Sequence, residues 1–144
     1  MTRKFIITTA IAAFVGIASA PAFANSVSIQ QQGWGNAAGG AQAGVHNQIG
    51  VYQDGLFNGA IAEQFGNHNT SAIGQEGFNN HGQTWQNGNG NAAGVGQFGA
   101  NHNAILTQDG HGNVTAGVQV GNGCDADVQQ AGNGNVAAFV QTCP

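Results

Sequence analysis

Histidines, acids and two cysteines carry the reactive chemistry this 144-residue sequence has to offer. Hydrolysis or group transfer would need a nucleophile with a base and an orienting acid at matching phase, together with a phosphate loop or a metal cluster for many reaction types. No such set is present. Glu63 and Glu76 differ in phase and do not form a carboxylate pair for acid–base work. His46 and His68 are 22 residues apart and His111 falls on the same edge, whereas His81 and His102 do not join that column. Two stacked imidazoles fall short of the four ligands of a structural metal site. The histidines therefore read as solvated turn residues, with no metal or cofactor expected. Cys124 and Cys143 are close enough in the repeat for the Cα separation of a disulfide, about 4.4–6.8 Å. An intrachain bond is the expectation, against free thiols or a pairing between chains.

The cations are Arg3 and Lys4 alone, so everything after residue 4 is acidic through Asp54, Glu63, Glu76, Asp109, Asp125 and Asp127. Nucleic-acid binding needs cationic side chains to displace counterions from phosphates, and these are missing. Clamps for anionic substrates are missing for the same reason. An enzyme is not expected.

The remaining polar chemistry is that of amides, and their spacing is strict. Glutamine recurs every eleven residues at Gln31, Gln42, Gln53, Gln64, Gln75, Gln86, Gln97, Gln108, Gln119, Gln130 and Gln141. Glycine follows two places later at Gly33, Gly44, Gly55, Gly66, Gly77, Gly88, Gly99, Gly110, Gly121 and Gly132. A third column holds Asn25, Asn36, Asn47, Asn58, Asn69, Asn80, Asn91, Asn113 and Asn135, with His102 and Cys124 in the two remaining places. Stacked amides bond to one another along an axis, each donating to the next. A periodic array of this kind implies a repeat architecture in which each unit is stabilised by its neighbours.

The elements that must position these columns follow from the phase. Asn, a small residue, an often apolar residue and Gln occupy alternate positions, the period of a strand with one face inward. The expectation is a seven-residue strand such as Asn69 to Gln75, then four turn residues containing the Gly. Two strands and two turns make a coil of 22 residues, with coils about 4.8 Å apart. Alternate units support this: Ile29, Val51, Ile73 and Val95 in one set face the smaller Gly40, Ala62 and Thr84 in the other. The expected fold is all-β, a parallel β-solenoid with two strands per coil and amyloid-like stacking. It has eleven strands at 11-residue spacing over residues 25–144.

Residues 1–24 read as a secretory signal peptide: a basic start at Arg3 and Lys4, an apolar centre from Phe5 to Ile17, and Ala22-Phe23-Ala24 before the cut. The apolar run is too short for a span, so no membrane crossing is expected once it is removed. The product would be secreted through a periplasm to the cell surface or beyond.

The pattern Q-x-G-x-x-N-x-A-x-x-x-Q, seen in Gln31-Gln32-Gly33-Trp34-Gly35-Asn36-Ala37-Ala38 through Gln42, in Gln53 to Gln64 and in Gln86 to Gln97, resembles the curlin repeat. The resemblance extends from Asn25 to Gln141. Alternate units open with Asn where curlin repeats usually have Ser, no channel-targeting segment is visible ahead of the repeats, and the cysteines are not part of the motif. The resemblance implies a subunit of curli amyloid fibres of the biofilm matrix, serving adhesion and surface attachment. It also implies self-association into a homopolymer, a nucleator subunit and an outer-membrane secretion channel as partners. A minor nucleator of the same fibre and a monomeric secreted binding solenoid are the alternatives. An ice-binding solenoid would want a Thr row, but Thr70, Thr84, Thr107 and Thr115 differ in phase; a calcium roll would want Asp in every turn. The uncharged strands NSVSIQQ and NVAAFVQ favour polymerisation, because flat β-prone edges template the addition of another chain.

Overall fold

The computed structural model describes residues 24–144; the segment read as a signal peptide lies, up to residue 23, outside the described residues. Eleven strands follow in order: β1 (Ser26–Trp34), β2 (Ala37–Ala43), β3 (Gln48–Leu56), β4 (Gly59–Asn67), β5 (Thr70–Phe78), β6 (His81–Asn89), β7 (Ala92–Ala100), β8 (Asn103–His111), β9 (Val114–Asn122), β10 (Asp125–Asn133) and β11 (Val136–Cys143). Odd strands form a six-stranded sheet in the order β1-β3-β5-β7-β9-β11, and even strands a five-stranded sheet running β2-β4-β6-β8-β10. All pairs are parallel and hold one register, for example Gln53↔Gln75, Gln75↔Gln97 and Gln97↔Gln119. The chain is thus a β-solenoid of two strands per coil. Among the described residues no helix is long and apolar enough to cross a membrane.

The strand boundaries differ from the sequence expectation. Most strands have nine residues rather than seven, and they begin one position after the Asn and run through the Gly column. The Gly residues sit in the ladder, paired Gly55↔Gly77↔Gly99. The glycine bends the strand while its main chain keeps its partners above and below. Gly77 has φ +125°, and a Cβ there would lie 1.9 Å from the Gly99 carbonyl oxygen of the next coil. The column therefore requires glycine twice, for torsion and for close approach between coils.

The reversal itself is completed by a second left-handed residue two places further on. This position is Gly35, Gly90, Gly112, Gly123 or Gly134 in some turns, and His46, Phe57, His68, Asn79 or Asn101 in others. Its backbone is stacked like the strands: the Phe57 N–H donates to the Trp34 carbonyl and the Asn79 N–H to that of Leu56, both at 2.9 Å.

The core is a thin double row in which Ile49, Val51, Ile73 and Val95 meet Ala60, Ala62, Ala104 and Leu106. Large against small continues at the last strand, where the Phe139 ring fills the space over Gly117. Burial of apolar surface here is limited by residue size, and buried glutamines and asparagines fill much of the remaining interior.

Candidate assembly surface: amide ladders and terminal coils

The glutamine side chains reach inward from the end of each straight segment, and their burial is near complete in the middle coils. Along the middle of each ladder the Nε2 makes two kinds of bond. One goes to the Oε1 of the Gln one coil on: Gln31 to Gln53, Gln53 to Gln75, Gln75 to Gln97, Gln97 to Gln119 and Gln119 to Gln141 at 2.7–2.9 Å. The even sheet has its own ladder through Gln42, Gln64, Gln86, Gln108 and Gln130. The other bond crosses the interior to a main-chain carbonyl of the preceding strand, as from Gln53 to Ala37 and from Gln75 to Gly59. The axial ladder was legible in the sequence. The cross-sheet bond was not, yet it is what ties one sheet to the other. Among the described residues, no buried side-chain nitrogen or oxygen lacks a partner, as a buried polar row requires.

The asparagines do not form a side-chain ladder of the expected kind. They lie at the corner, where main-chain groups are nearer than the next amide. The Asn69 Nδ2 donates to the Gly88 carbonyl at 2.9 Å, and its Oδ1 accepts the Asn91 N–H at 3.0 Å. Asn80 does the same with the Gly99 carbonyl and the His102 N–H. Each Asn therefore clips its own corner to the corner of the next coil, 19 residues away for the carbonyl and 22 for the N–H.

His102 and Cys124 occupy this column and preserve its function by different means. His102 is 1 % exposed, which corrects its reading as a solvated turn histidine. Its Nδ1 accepts the Cys124 N–H of the next coil at 3.1 Å, as an Asn Oδ1 would, and its Nε2 meets the Phe98 carbonyl of its own coil at 3.2 Å, the four-residue contact that the Asn69 Nδ2 makes with Phe65. Those roles set the tautomer, with the proton on Nε2. We expect His102→Asn to leave stability unchanged. His102→Ala orphans a buried N–H and should cost about 1–3 kcal/mol, read as a rise of roughly fivefold or more in the soluble concentration left at equilibrium.

Cys124 bonds to Cys143 with Cα atoms 5.6 Å apart and a sequence separation of 19. That separation equals the one between each Asn and the glycine carbonyl it holds in the next coil. The disulfide thus lies where a hydrogen-bonded corner clip would be, in the last coil. We expect the Cys124–Cys143 peptide in a non-reduced digest examined by mass spectrometry. Reduction should remove about 3 kcal/mol of chain-entropy stabilisation for a loop of this length.

His46 and His68 are exposed and their rings stack at 4.8 Å between centroids. His111 belongs to the neighbouring column, in which the main-chain N–H of Asn89 donates to its Nδ1. That column, with Asn67, Asn89 and Asn133, is a further exposed amide ladder that the varied residue types concealed. The acids are exposed or half-buried, and the register sets Asp54 beside Glu76 on adjacent coils. The arrangement assembles hydrogen-bond donors and acceptors along an axis.

A family model described as the curlin associated repeat matches residues 46–77 and 79–110. The chain thus carries two matched curlin repeats in its central coils. No match was found among curated proteins. Each matched unit covers about three strands of the solenoid. The matched units contain the centre of both glutamine ladders, from Gln53 to Gln108.

Proposed function

We propose that this curlin-repeat chain is secreted and polymerises into curli-type amyloid fibres that form biofilm matrix and attach cells to surfaces. Ile29 and Ile73 carry the reading: they share one inward column, yet Ile29 is 41 % exposed and Ile73 is 2 %. The two environments differ in that Ile73 has a coil on either side. Both ends of the stack thus present inward residues that another coil would bury, and each strand there has one open edge. Such edges template addition of a further chain. The segment read as a signal peptide supports entry to the secretory route, and an outer-membrane channel and a nucleator subunit are the partners this role calls for.

The test is growth from purified residues 25–144, followed by a thioflavin dye and electron microscopy. Unseeded samples should show a lag, and preformed fibre fragments should abolish it. Absence of fibres at any concentration, with or without fragments, would reject the proposed role.

A further inference from the structure

The two sheets are unequal, with six strands against five, so β1 and β11 lie in the same sheet. One end of the stack therefore presents β1 with β2 opposite, and the other presents β11 with β10 opposite. The amide ladders also have a direction. In every Gln–Gln bond the Nε2 donates toward the C-terminal end, from Gln31 to Gln53 in one sheet and from Gln108 to Gln130 in the other. Gln31 and Gln42 consequently offer Oε1 acceptors at one end, while Gln130 and Gln141 offer N–H donors at the other. These ends are complementary head to tail, and mismatched head to head.

We propose, resting on the fibre reading above, that a second copy of this chain docks its first coil on the last coil after a half turn about the stack axis. Strand β1 of the incoming copy then pairs with β10, and its β2 pairs with β11. Stacking without rotation would set β1 on β11 but leave β10 and the incoming β2 two levels apart, about 9.6 Å instead of 4.8 Å. Gln130 and the edge groups of two strands would then lack partners. The half turn closes this gap. Strands of opposite sheets run in opposite directions around the coil, so the rotation also keeps every new pair parallel.

The register follows from the offset inside the chain. Gln130 meets the incoming Gln31 and Gln141 meets the incoming Gln42, extending both ladders. Asn135 gains the incoming Gly33 carbonyl, as Asn113 holds that of Gly132. The incoming Gln31 reaches the Val136 carbonyl, completing the cross-sheet bond that Gln42 makes with Ser26 in the same copy. The aromatic edge built by Trp34, Phe57 and Phe78, with centroids 5.9 and 6.0 Å apart, then alternates between the two sides of the fibre.

Two double variants separate the arrangements, using exposed outward positions. In the rotated stack Gln30 lies beside Gln129 of the preceding copy; in the unrotated stack it lies beside Val140. Seeded fibres of Gln30→Cys with Gln129→Cys, mildly oxidised, should yield at least tenfold more linked peptide by mass spectrometry than fibres of Gln30→Cys with Val140→Cys. Helical reconstruction of unaltered fibres should give a rise of about 26 Å and a half turn per copy, against about 29 Å without rotation. Dominant linkage from Gln30 to position 140, or fibres with neither linkage and no half turn, would overturn the proposal and leave the fibre reading standing. Failure of the unaltered chain to form fibres would reject both.

Discussion

Replacing Gly77 by alanine is expected to abolish assembly, while the same change at Gly74 leaves the growth rate within about twofold. The two glycines lie three residues apart on β5 and differ in surroundings. A Cβ on Gly74 meets nothing within 4 Å, whereas one on Gly77 falls 1.9 Å from the Gly99 carbonyl oxygen. The neighbour is main chain held by its own ladder, so it has no flexible end to move aside. The torsion adds to this, because φ +125° is a region that L side chains occupy at a cost of about 1–3 kcal/mol. Torsion and clash together should raise the soluble concentration at equilibrium by roughly a hundredfold or more. Sedimentation of fibres and assay of the supernatant would measure it. Equal behaviour of the two variants would mean that coils do not approach this closely.

Gln75→Ala is expected to be nearly as damaging, and for a different reason. The side chain donates to Gln97 Oε1 and to the Gly59 carbonyl, each at 2.8 Å, and accepts from Gln53. Truncation leaves buried donors and acceptors on three strands without partners, at about 1–3 kcal/mol for each unsatisfied group. A loss of roughly 3–5 kcal/mol corresponds to a hundredfold or greater rise in soluble concentration. Asn80→Ala should behave similarly, since it orphans the His102 N–H and releases the Gly99 carbonyl. Gln83, half-buried on the outward face of β6, is the control, and its change to alanine should alter little. Similar effects at Gln75 and Gln83 would contradict the assignment of inward and outward faces.

The parallel solenoid, the two strands per coil and the Gln ladder were legible because their residue types are nearly constant in phase. The strand ends differ from the expectation because Gly usually signals a turn. At Gly77 the main chain bends without leaving the ladder, so composition and hydrogen bonding disagree. The second left-handed column escaped notice because it mixes Gly and Asn with His46, Phe57 and His68. The residue type of His102 suggests a turn histidine, whereas its phase places it in the Asn column, where its ring accepts the Cys124 N–H and meets the Phe98 carbonyl. The corner geometry of asparagine needed coordinates, since nothing in the spacing says whether a short amide meets another amide or a carbonyl. The coincidence of the Cys124–Cys143 separation with that of the Asn clips was available in the numbers, but only once those clips were known.

In the proposed role, folding of this chain is completed by stacking on a pre-existing coil. Its core is thin, and each strand must find a partner 22 residues away before gaining anything, an ordering cost that precedes the reward. Circular dichroism of freshly desalted residues 25–144 at low concentration tests this most directly. A largely disordered spectrum is expected, becoming β-rich when fibre fragments are added, with fibre reflections near 4.8 and 10 Å. A β-rich spectrum that persists on dilution, with no fibres after standing or seeding, would contradict it and describe a soluble solenoid instead.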